Sequence, residues 1–164
     1  MGEHVTLYSS YPFSFEELSG AILAAKGEPL PFEERYGDYL LGRLEDGRHI
    51  IYIHGEHEPG DPVQFWEQEV YYLGEDLMNE IAAKLEGKPV VSIAMWLGGT
   101  ARSEFLAVEL AYHCAQRWPC VVRGEVVEQG EWKIKLYANE EIKRLRAEGK
   151  AFTAYYGTHD DEEE

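Results

Sequence analysis

Two stretches of this chain carry the sequence of a β-hairpin. YLLGRLEDGRHIIYIHG sets Asp46-Gly47 between two apolar runs, and CVVRGEVV and EWKIKLY flank Glu128-Gln129-Gly130. Turn residues that accept positive φ, placed between apolar segments, are a strong local signal for antiparallel pairing. A strand and a helix come before each hairpin, and a helix comes after it. In the first series the strand is VTLYSS, residues 5–10. The helix that follows opens with a capping box, Ser14 as N-cap and Glu17 at N3, with Phe13 placed to staple onto Leu18. In the second series KPVVSIAMW is the strand, and LGGTARSEF turns into a helix in which Thr100 or Ser103 is the cap. Such an order requires an antiparallel sheet covered by helices. We therefore expect an α+β fold in a single domain over residues 1–157, with a duplicated strand-helix-hairpin-helix unit of ferredoxin-like or split βαβ type. Residues 158–164 form an acidic tail outside it.

The helix after the first hairpin is harder to read. Asp61, Pro62 and Gln64 suit N-cap, N1 and N3, and Trp66, Val70, Leu73, Leu77, Ile81 and Leu85 recur at helical spacing. EVYYL alone would also pass as a strand, and Gly74 stands where a helix would break. Near the C-terminus NEEIKRLRAEGK is a short helix with Asn139 as N-cap and Gly149 as stop. AFTAYY then reads as a last strand.

With 45% apolar and 13% aromatic residues among 164, the chain can build a core without a disulfide or metal. Its two cysteines, Cys114 and Cys120, lie six positions apart; a bond between them stays open, and nothing marks a secreted disulfide scaffold. No apolar run approaches the roughly 18 residues that span a bilayer. The expectation is a cytoplasmic protein without a cofactor.

Net charge is −16, and it is distributed unevenly. Residues 1–116 hold seven bases and twenty acids, residues 117–150 eight bases and six acids, and the last fourteen residues five acids. Residues 49–83 contain no Lys or Arg, against Glu56, Glu58, Asp61, Glu67, Glu69, Glu75, Asp76 and Glu80. Such a field repels nucleic acid and anionic membranes and attracts cationic partners. The same segment holds Tyr71 and Tyr72, side chains that anchor interfaces at low entropic cost. Glu56, Glu58, Asp61, Glu67, Glu69, Tyr71, Tyr72, Glu75 and Asp76 are thus the expected contacts for a basic protein partner.

Catalytic patterns are weak, and the residues lean away from an enzyme. His54 and His57, with nearby carboxylates, are the candidate zinc ligands, but they lack an established ligand spacing. His54-Gly55-Glu56 and Pro119-Cys120 resemble the cytidine-deaminase signature, yet Arg123 stands where its second cysteine ligand belongs. His113 and Cys114, adjacent on a helix, point about 100° apart.

In size, acidity and architecture the chain resembles bacterial toxin-immunity proteins. That resemblance implies inhibition by occlusion, with carboxylates standing in for phosphates in a toxin's basic active site. The duplicated strand-helix-hairpin order also resembles GyrI-like tandem domains, which bind small molecules. It would imply a cleft lined by Tyr8, Tyr11, Trp96 and the Gly98-Gly99 turn, with Glu109 receiving a cation.

Overall fold

The computed structural model describes residues 3–30, 40–56, 59–98 and 103–152. Its elements run β1 (Glu3–Ser9), α1 (Phe15–Ala24), β2 (Glu28–Pro29), β3 (Leu40–Glu45), β4 (Ile50–Gly55), α2 (Pro62–Leu73), α3 (Glu75–Leu85), β5 (Val91–Gly98), α4 (Glu104–Ala115), β6 (Cys120–Glu128), β7 (Glu131–Ala138) and α5 (Asn139–Glu148). The seven strands of the described residues form one sheet in the order β2-β3-β4-β5-β1-β6-β7, with each of these pairings antiparallel. The expected α+β domain is therefore what the chain folds into. The strand expected over 151–156 falls mostly outside the described residues, as does the acidic tail.

The two halves repeat their element order but are not laid into the sheet alike. β5, α4 and β6 make a split βαβ unit, with β1 inserted between the two strands. In the first half it is the second hairpin strand, β4, that lies beside β5, and β2 adds an outer edge at β3.

Strand alternation divides the core between two layers. Val5 and Leu7 of β1, Ile51 and Ile53 of β4, and Ile93 and Met95 of β5 face α1, α4 and α5 in the larger cluster. Tyr8 of β1 and Val121 of β6 face the other way, toward Met78, Ile81 and Leu85 of α3. None of α2's residues is fully buried, whereas Met78 and Ile81 are wholly so. The α2–α3 hairpin is therefore held to the sheet chiefly through α3.

Local chemistry explains where the helices begin and end. Ser14 and Glu17 close the capping box, with Glu17 N donating to Ser14 Oγ at 3.2 Å and Ser14 N to Glu17 Oε1 at 3.1 Å. We expect Ser14→Ala to cost about 1 kcal/mol, measurable as a lower urea midpoint with an unchanged slope. Asp61 caps α2 by accepting from Val63 N, and Pro62 occupies the first turn. Gly74, at φ +93°, separates α2 from α3, a conformation that costs an L side chain strain. Asn139 departs from expectation. It is the first helical residue rather than the cap, and its amide nitrogen donates to the carbonyls of Ala115 and Trp118 while its oxygen accepts from Cys120 N. It ties the end of α4 to the start of β6. Ser103 stands at the head of α4, but its hydroxyl accepts from Ile50 N at 3.3 Å instead of capping the helix. Gly99 and Thr100 lie outside the described residues.

Cys114 and Cys120 are both free and buried. Burial pushes the Cys114 thiol up to about 12 and raises that of Cys120 as well. Neither thiol should react with a disulfide reagent in the native protein at pH 8, and both should react once it is denatured.

Candidate functional site

α2 and α3, which carry most of the acidic segment, lie on the side of the sheet opposite α1, α4 and α5, and the structure divides the segment into parts. Tyr71 and Tyr72 near the end of α2 are 82% and 69% exposed, and their rings meet edge to face at 5.2 Å. Glu67 lies four residues before Tyr71, on the same outward line of the helix, and is exposed. Just beyond them, Leu73, Leu77 and Ile134 floor an open groove of about 550 Å³, edged by Glu75, Asp76 and Glu80. Ile134, on β7, is 49% exposed. Among the described residues Glu67, Glu75, Asp76 and Glu80 have no ion-pair partner. Of the bases that follow the segment, Lys84 pairs with Glu141 on α5 at 3.1 Å, and Lys88 stands over the Trp66 ring of α2 at 4.8 Å.

Other members of the expected set are placed differently. Asp61 spends a carboxylate oxygen on the α2 cap. Glu69 turns inward, half-buried, and accepts a hydrogen bond from the Tyr8 hydroxyl at 3.2 Å. Its helical spacing to Trp66 and Leu73, three residues back and four ahead, is the signal that would have placed it there. Burial holds its carboxyl above the ordinary value. Glu56 sits at the end of β4, on the rim of a pocket that Glu69 also lines. Glu58 lies outside the described residues.

That pocket, about 370 Å³, lies on the open part of the sheet beside α2. Its floor is a row of cross-strand neighbours, His54, Ala94, Thr6 and Arg123, running from β4 through β5 and β1 to β6. Tyr8 and Ser92, a facing pair, extend the floor, and Phe65, Gln68 and Glu69 form the wall. Burial raises the Tyr8 phenol to about 12, so it keeps its proton and donates to Glu69. Burial lowers His54, which is neutral at pH 7. Arg123 and Thr6 were not singled out by sequence. A cation directly after two valines, within the apolar strand pattern of CVVRGEVV, is the signal that marks Arg123.

For metal binding, His54 is tilted against Trp96 at 5.9 Å, and His57 lies outside the described residues. No group of three potential ligands converges among the described residues. The cleft expected from the tandem resemblance is not assembled. Tyr8 and Trp96 share a face of the sheet, but Tyr11 stacks on Trp118 in the other layer. Glu109 is also engaged there, taking Arg146 Nε at 2.8 Å and His113 Nε2 at 3.1 Å.

Arg146 holds the Glu109 carboxyl below its ordinary value. Stability from this depressed pKa is present above about 4.5, the ordinary value, and is lost as pH falls through the folded value. Glu109→Gln should therefore be less stable than wild type at pH 7, with the gap narrowing in urea titrations as pH falls below about 4.5 and on through the folded value.

No helix of the described residues is long and apolar enough to cross a membrane. No protein-family model matches the chain, and no curated protein or solved structure matches it either.

Proposed function

We propose that this chain is an acidic protein-binding inhibitor, an immunity protein that docks the outer face of α2–α3 onto the basic active-site cleft of a cognate bacterial toxin. The observation that carries the reading is the groove of Leu73, Leu77 and Ile134, rimmed by Glu75, Asp76 and Glu80, with the exposed Tyr71 and Tyr72 immediately before it in α2. Its chemistry suits a Lys or Arg side chain, with the aliphatic stem on the apolar floor and the cationic head among carboxylates. The absence of any base in residues 49–83 keeps the surrounding potential negative and would speed encounter with a cationic surface. Unpaired like charges cost stability, so a face that retains them is better explained by a use than by solvation alone. The inhibitor would act in the cytoplasm, where an imported or unreleased toxin meets its target.

The test is genetic and then physical. Reading frames adjacent to this chain's gene are expressed alone and with it. The reading expects one of them to encode a basic product that arrests growth, with arrest relieved by this chain. If no adjacent product is toxic, or if toxicity persists when the two are co-expressed, the reading fails.

A further inference from the structure

The pocket beside α2 is separate from the outer acidic face and has its own charge pattern. Arg123 lies on its floor, where the guanidinium reaches Thr6 Oγ1 at 3.4 Å and stands beside the Tyr8 hydroxyl. Its Nε is buried and has no hydrogen-bond partner, and no carboxylate among the described residues is within ion-pairing distance. Glu69 acts on Arg123 through the field of the pocket and not by a direct ion pair. A partly buried cation so placed is costly, and five N–H donors are more than Thr6 and Tyr8 can use. Two carboxylates border the same space, Glu69 on the wall and Glu56 on the rim toward β4. Glu69 is half-buried and penalised in its ionised form, and it accepts its hydrogen bond from the neutral Tyr8 hydroxyl.

This arrangement discriminates between classes of ligand. With His54 neutral, one guanidinium and two carboxylates give the lining a net charge of −1. A simple anion would satisfy Arg123 but face both carboxylates. A simple cation would satisfy the carboxylates and leave Arg123 unmatched. A molecule carrying both charges matches each pole. The volume, about 370 Å³, lies within the usual range for small-ligand sites, and Ala94 and Phe65 offer an apolar surface for a side chain.

We propose that the pocket binds a free amino acid or a closely similar small zwitterion, with its carboxylate on Arg123 and Thr6 and its ammonium toward Glu69 and Glu56. The Gln68 side chain, on the wall, is within the lining to hydrogen-bond either group. This site does not depend on the inhibitor reading, since it uses the inward side of α2 while the partner face uses the outward side.

The twenty proteinogenic amino acids are the probes, tested one by one against the full chain by thermal shift and titration calorimetry. At least one should bind saturably with one-to-one stoichiometry. Its deaminated and decarboxylated counterparts should each bind at least about tenfold more weakly, because a site built for both poles rejects a molecule lacking one. Arg123→Met should abolish binding. Because that variant could fail to fold, Gln68→Trp serves as the second arm. Position 68 is exposed on α2, so an indole there should fill the mouth and abolish binding while circular dichroism and the melting temperature stay near wild type. Silence from all twenty amino acids would overturn the proposal. Equal binding of the deaminated or decarboxylated counterpart, or full binding by a folded Gln68→Trp, would overturn it as well.

Discussion

Ile81→Ala is expected to destabilise the protein by about 2–5 kcal/mol and to release the α2–α3 hairpin before the rest of the fold. Ile81 is wholly buried against Tyr8 and Val121, and with Met78 and Leu85 it is the apolar contact through which the hairpin grips the sheet. α2 has no fully buried residue of its own, so weakening α3 frees both helices. The larger layer around Leu7, Ile22, Ile53 and Leu110 is built from other residues and should persist. Hydrogen exchange would report this directly. Amides of residues 62–85 should lose protection at low denaturant, while those of β1, β5 and α4 keep theirs. Uniform loss across the chain would mean that the hairpin is not a separate unit.

Tyr71→Ala and Tyr72→Ala are expected to have the second large effect, on binding and not on stability. Both rings are mostly in solvent, so removing either should change the melting temperature little. Within a docked interface each would lie among the anchors, where truncation typically costs about 2 kcal/mol or more, roughly thirtyfold in affinity. The double variant should fail to protect cells against the cognate toxin when expressed at the wild-type level. Normal protection by a folded double variant would remove the tyrosines from the interface.

Much of the fold was legible because local chemistry specifies it. Ser14 with Glu17, Asp61 with Pro62, and the turns at Gly47 and Gly130 marked helix starts and hairpins that the structure contains. EVYYL favours a strand by composition, yet it lies within α2, where the Asp61 cap and burial of Val70 and Leu73 against α3 and the sheet prevail. Sheet order was not legible. The inner place of β4 depends on pairings between residues about 40 to 50 apart, and the insertion of β1 between β5 and β6 on pairings between residues 80 or more apart, for which no local pattern exists. Asn139 shows the same limit on a smaller scale, because its amide serves residues 19 to 24 positions away. For the candidate site, counting charges located the acidic segment but did not separate its faces. Glu69 turned inward to Tyr8 while Glu75, Asp76 and Glu80 remained outside, a division set by helical phase about Gly74.

The central claim is that the outer face of α2–α3 steers and holds a basic partner. It is tested most directly by association kinetics with the growth-arresting protein against which this chain protects, measured over a range of ionic strength. Glu67→Lys with Glu80→Lys is compared with Glu45→Lys and Glu131→Lys, a control pair that makes the same change in net charge at exposed positions outside α2 and α3. The account predicts an on-rate that falls steeply with salt, and at low salt a drop of at least about tenfold for the first pair with a much smaller loss for the control. An on-rate indifferent to salt, or a control that slows as much as the α2–α3 pair, would contradict it.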